Sequence, residues 1–231
     1  DKSKEKEVSK NEGLIYTVFN IAWFVGPIIA GYIANQFGES RVFLFSAAFI
    51  FLSLLTFKLI NLEDTRTTKK IDKNPFKLFI EFFKKKDRRL AYLIGGGIDL
   101  WWSFIYIYMP LYIINNGLGD IVLGYFLAAI AIPLVILEYS ISKLAGKKGF
   151  KKIFFIGYLI LAITAIICFF ITNNYVLLIF LVLGGVGAAM LEPTSEAYFF
   201  DVIKKDERDK FYGTYNTTMD TQSFIGKILG A

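Results

Sequence analysis

The chain has 231 residues, 55% of them hydrophobic, including 24 Phe and 13 Tyr, and carries a formal net charge of +6. That is more apolar surface than a soluble domain of this length normally carries, so the composition places the chain in a membrane. Histidine is absent and the one cysteine, Cys168, sits in an apolar run, which excludes imidazole catalysis, a disulfide framework and a thiolate metal cluster, and leaves carboxylates as the useful titrating groups.

The chain opens on the charged stretch DKSKEKEVSKNE, without a methionine or signal peptide, and reads as a fragment of a longer protein. A bilayer core about 30 Å thick needs roughly 20 apolar residues in a helix. Seven such runs are expected, at 14–34, 41–61, 90–114, 121–144, 153–172, 175–202 and 211–231. The last ends on KILGA with no polar anchor, so further helices are expected beyond it. Basic residues concentrate in 1–13, 62–89, 145–152 and 203–210, whereas the alternate connections contribute only Arg41. The positive-inside rule therefore puts the basic loops in the cytoplasm, with the chain multi-pass in the cell membrane. This confinement to one set of loops accounts for the net charge by topology and leaves no case for nucleic acid.

The connection 62–89 differs from the other loops. Asn74 before Pro75 starts a helix, and Phe76, Phe79, Ile80 and Phe83 recur at helical spacing against lysines. An amphipathic helix on the cytoplasmic membrane surface is predicted, splitting the chain into two helices (14–61) and five (90–231). The first helix opens IYTVFN and the last FYGTYN. Each has Tyr followed four residues later by Asn, Tyr16 with Asn20 and Tyr212 with Asn216, six helix steps apart, the signature of a parallel repeat.

Three stretches resemble the major facilitator superfamily, whose members have two six-helix halves joined by a long cytoplasmic loop. VGPIIAGYIANQFGESRVF, Val25 to Phe43, is similar to that family's fifth helix leading into the sixth, with Gly26, Pro27 and Gly31. SKLAGKKGFKK, Ser142 to Lys152, resembles the loop motif between the second and third helices of each half, matching at Leu144, Ala145, Lys147, Gly149, Lys151 and Lys152. The family's first Gly is here Ser142 and its Asp is Gly146, so the charge pairing of that Asp does not carry over. EPTSEAYFFDVIKKDERDKFYGTYN, Glu192 to Asn216, looks like the tenth helix running into the eleventh. The resemblance implies an all-α helical bundle of about seven transmembrane helices out of twelve: the last two of one half, the linker, and the other half without its final helix. The remaining helices would belong to the same parent chain. It further implies a secondary transporter working by alternating access, with a drug- or metabolite-efflux character. Gly26 and Pro27 resemble a pattern of proton-coupled antiporters, although the same residues also permit close packing and a bend.

Carboxylates deep in these helices are the candidate site. At 1.5 Å per residue, Asp99, Glu192 and Asp220 lie roughly 14–16 Å from their cytoplasmic ends. A carboxylate at a helix centre costs roughly 2.5–3.5 kcal/mol to insert, so three at one depth predict a shared cavity. Glu192 and Glu196 share a helix face beside Pro193. Asn216, Asp220 and Lys227 share another, with Lys227 expected to pair with a carboxylate. Asp99, Trp102 and Tyr106 form a stripe that can stack an organic cation. Glu138 and Asp201 read as lying nearer the cytoplasmic ends. The expected partners are a small neutral or cationic organic solute, protons and lipid, with no cofactor and no metal. A seven-helix retinal protein, for which Lys227 and Asp99 are the ingredients, and a membrane-embedded enzyme are the alternatives, the latter lacking a nucleophile with a base.

Overall fold

Apolar runs longer than a bilayer is thick can satisfy their backbone only as helices, and the computed structural model, which describes residues 8–60 and 74–229, is helical throughout its spans. Two helices precede the linker, α1 (Val8–Phe37) and α2 (Glu39–Leu59). After it come α3 (Pro75–Phe83), α4 (Lys86–Ser103), a π-helical turn (Phe104–Tyr108), α5 (Met109–Asn115), α6 (Gly119–Ala129), α7 (Ile132–Lys148), α8 (Lys151–Phe170), α9 (Asn174–Val202) and α10 (Arg208–Leu229). Helices α4 to α5 and α6 to α7 each form one span, interrupted respectively by the π turn and by a kink at Ile130 and Ala131 before Pro133.

Among the described residues, six spans are long and apolar enough to cross a membrane, not the seven expected. The seventh, α10, is helical but carries Asn216, Thr217, Thr218, Asp220, Thr221 and Gln222 in its middle, a polarity tolerable only beside other protein. Residues 8–13, expected in a loop, already belong to α1. Most of the linker, 61–73, lies outside the described residues.

Helix α9 is central and touches α1, α4, α6, α7 and α8. Its small residues set the distances. A Cβ on Gly187 would stand 2.7 Å from the Gly157 carbonyl of α8, and one on Gly184 equally close to Thr164. Helix α1 lies along α6 and α7, where Gly31 meets Gly124 and Gly13 meets Ser142. Helix α2 packs only along α1 among the pairs with substantial contact and buries no residue, so the surface it turns away from α1 remains available to lipid or further protein.

Helix α3 forms where Asn74 caps it, its Oδ1 accepting from the Phe76 amide at 3.0 Å. Its apolar residues divide between protein and surface. Phe82 is the fully buried side chain, set among Phe83, Tyr92 and Phe211, while Phe76, Phe79 and Ile80 stay exposed. A polar seam ties this end together: Arg88 donates to Glu207 at 2.6 Å and lies over the Phe211 ring, and Lys210 pairs with Glu81.

The glycine crossings give a stability test. Gly187→Val is expected to force α8 from α9 and cost about 1–3 kcal/mol. Gly213→Ala, where a Cβ meets nothing within 4 Å, is expected to stabilise α10 by about 0.5–1 kcal/mol. Thermal unfolding in detergent separates the two, and a shift of the same sign for both would contradict the crossing.

Candidate functional site

The buried acids converge where α1, α4, α7, α9 and α10 meet. Glu138 of α7 is fully buried, and its Oε2 accepts from Asn20 Nδ2 of α1 at 2.9 Å. Its carboxyl faces that of Glu192 on α9, and the remaining oxygens, Glu138 Oε1 and Glu192 Oε2, are buried without a hydrogen-bond partner. Asp99 of α4, half-buried beside Thr218, is within electrostatic reach of Glu192. Facing carboxyls in an apolar bundle need a shared proton, a cation or water between them.

One turn further along α9, Glu196 is held differently. Its Oε2 accepts from Tyr16 of α1 at 2.6 Å and its Oε1 from Tyr212 of α10 at 2.7 Å. The tyrosines of the repeated Tyr-x-x-x-Asn pair thus meet on one carboxylate. The asparagines diverge: Asn20 is buried on Glu138, whereas Asn216 is exposed beside Tyr212.

An aromatic wall completes the site. Trp102 and Tyr106 stack at 5.3 Å between centroids, and Trp23 of α1 joins Tyr106 at 5.1 Å, so three rings bridge α1 and the span containing α4. Tyr106 lies in the π turn, an irregularity common at functional sites, and is within electrostatic reach of Glu192.

Asp220 does not join this cluster. The buried face of α10 runs through Phe211, Tyr215 and Thr218, and at about 100° per residue Asp220 falls on the far side, exposed. Glu138 occupies the place expected for it. Its depth was underestimated because α7 continues to Lys148, four residues beyond the apolar run, which puts Glu138 about 15 Å from that end. Asp201 is exposed. The Lys227 side chain lies outside the described residues. Trp23 carried no sequence signal beyond its place in an apolar run, and Tyr16 and Asn20 were legible only as part of the repeat.

The motif positions have structural roles. Gly31 packs on Gly124, and the Pro27 carbonyl lies where a Cβ on Gly124 would stand, whereas a Cβ on Gly26 would meet open space. Pro193 is buried inside α9 without ending it. Gly149 ends α7 at φ 89°, a backbone conformation that favours glycine, and Ala145 is buried. Leu144, Lys147, Lys151 and Lys152 are exposed. Ser142, standing where the motif has Gly, exchanges hydrogen bonds with Ser9 of α1, and Gly146 packs beside Ser9.

The family model of the major facilitator superfamily matches residues 1–226. The chain belongs to the major facilitator superfamily. It is 24% identical to an uncharacterized MFS-type transporter of Methanocaldococcus jannaschii, over 94% of this chain and 57% of that one. It is 26% identical to the staphylopine export protein of Staphylococcus aureus, over 96% of this chain and 58% of that one. Against multidrug resistance protein 2 of Bacillus subtilis it is 30% identical over 53% of this chain and 30% of the relative. The chain therefore spans somewhat more than half the length of the relatives that it matches along most of its length. No solved structure matches it. Membership fixes the reading of the fold as part of a multi-pass membrane bundle of this superfamily, all-α among the described residues.

The Asn20–Glu138 bond yields a prediction. Asn20→Leu strips a fully buried carboxyl of its donor and is expected to cost about 1–3 kcal/mol or more. Adding Glu138→Leu should restore most of that, since an apolar pair replaces a broken polar one. Thermal unfolding of both variants reads the difference, and failure of the double variant to recover would show that Glu138 is held by something other than Asn20.

Proposed function

We propose that the chain is part of a secondary active transporter that moves a small organic solute by alternating access, with proton coupling. The observation that carries this reading is the facing pair Glu138 and Glu192, with Asp99 nearby and an aromatic wall at the same place. Carboxyl oxygens buried without donors are the chemistry by which an apolar cavity takes up a proton or a cation, and releases it when solvation changes. The aromatic wall, Trp102 stacked on Tyr106 with Trp23 tilted against it, favours a flat or cationic organic solute over an anion. Export of staphylopine and multidrug resistance, named for two relatives, support an efflux direction and an antiport mode. In this reading α1 and α2 close one six-helix half and α4 to α10 belong to the other. The rest of the parent chain supplies the remaining helices, and the basic loops face the cytoplasm of a plasma-membrane protein.

Within this site Glu192, Asp99, Trp102 and Tyr106 meet solute or proton. Asn216, Asp220 and Lys227 lie on α10, the first two on its exposed side, away from the facing acids.

The test uses the intact transporter in proteoliposomes, with a panel of organic cations and neutral solutes, with and without a pH gradient. Glu192→Gln is expected to lower gradient-driven uptake at least about tenfold while leaving solute counterflow, because only the coupling step loses its proton site. Normal gradient-driven uptake by Glu192→Gln, or a preference of the wild type for anions, would overturn the assignment.

A further inference from the structure

Glu196 is chemically unlike its neighbours in the same cavity. Glu138 and Glu192 each have an unpartnered buried oxygen, whereas both oxygens of Glu196 are taken by phenol hydroxyls from two different helices. It is where α1, α9 and α10 are joined through one carboxylate. We propose that Glu196 is a latch between the two halves of the transporter, Tyr16 being the donor that crosses between them and Tyr212 the donor that holds the carboxylate in place. The proposal rests on the two-half, alternating-access reading above and assigns Glu196 a positioning role, distinct from solute or proton binding.

Three features support it. First, α9 and α10 belong to the same half and are joined by the short segment around Lys205–Glu207, so the Tyr212 bond costs nothing to keep during rocking. Tyr16 lies on α1, and its bond must break if α1 separates from α9. Second, both Glu196 oxygens accept from phenol hydroxyls, at 2.6 and 2.7 Å, in the short range of charge-assisted bonds, which are stronger than bonds between neutral groups. The neighbouring contact between α1 and the second half, Ser9 with Ser142, is neutral. Third, the described titratable groups that sense Glu196 are carboxyls and phenols. They are Glu12 and Tyr16 from α1, Glu192 a turn away on α9, and Tyr212 and Tyr215 from α10. Removing one hydroxyl therefore cannot be repaired by a neighbouring cation among them.

The experiment is a distance measurement on the intact protein in proteoliposomes, with spin labels at the exposed positions Lys10→Cys and Asp209→Cys in a cysteine-free background. Tyr16→Phe is expected to raise the ratio of long to short cytoplasmic distances about tenfold, the effect of losing one bond to a charged acceptor. Tyr212→Phe should give a smaller shift in the same direction. In a Glu196→Ala background Tyr16→Phe should add nothing. An unchanged distribution in Tyr16→Phe, or an equal further shift after Glu196→Ala, overturns the latch. Where Glu196→Ala fails to fold, the Tyr16→Phe and Tyr212→Phe cycle replaces it, and strictly additive shifts then overturn the proposal. The readout requires no solute. Absence of uptake by the wild type would defeat the transport reading while leaving these distances to decide the latch, and uptake with unmoved distances would defeat the latch alone.

Discussion

A carboxyl group inside hydrocarbon has no water to solvate it, and everything distinctive in this structure follows from how that requirement is met. Asp99, Glu138, Glu192 and Glu196 all turn inward, and the helices that carry them must therefore share one interior. Glycines at 157, 184 and 187 bring α8 against α9, while Gly13, Gly31 and Gly124 bring α1 along α6 and α7. Close approach of backbones is what places Asn20 and Tyr16 within hydrogen-bond reach of acids on other helices. Packing in a bilayer rests on such small-residue contacts because lipid offers little hydrophobic drive between helices.

The acids divide into two chemical situations one helical turn apart. Glu196 is saturated by donors and so is suited to hold geometry. Glu138 and Glu192 are left short of donors and so are suited to take something up. Having the two kinds adjacent on α9 puts a donor-poor and a donor-saturated carboxyl on one helix. Pro193 sits between them without breaking the helix, and Thr194 and Ser195 turn their hydroxyls back onto the carbonyls of Met190 and Glu192. Those bonds partly cover polar backbone in the turn that the proline disturbs.

Much of this was legible in the residues. Run lengths located six spans, although α1 begins six residues earlier than its apolar run and α10 is too polar to count as a seventh, and counting placed Asp99 and Glu192 well inside their helices. Phase did not follow. Asp220 has the right depth but the wrong azimuth, and azimuth depends on which face of α10 finds a partner, which a hydropathy pattern does not encode when that helix is polar nearly all round. For Glu138 the helix end is what misleads: hydrophobicity stops at 144, while the backbone remains helical through the charged residues to Lys148. The Tyr-x-x-x-Asn repeat hinted at a common role, yet only three-dimensional placement brings both tyrosines to Glu196.

The two departures from the family's loop motif also make sense together. An aspartate at position 146 would put a charge against Ser9, and a glycine at 142 would leave Ser9 without its reciprocal bond. With Gly146 and Ser142, the crossing of α1 over the end of α7 is instead closed by close contact and neutral hydroxyls. Neutral bonds of this kind contribute about 1 kcal/mol each. The bond from Tyr16 of α1 to Glu196 of α9 lies further along the same helix and next to Glu192, so α1 is tied to the rest of the bundle by neutral hydroxyls near its start and by a carboxyl acceptor beside the buried acids.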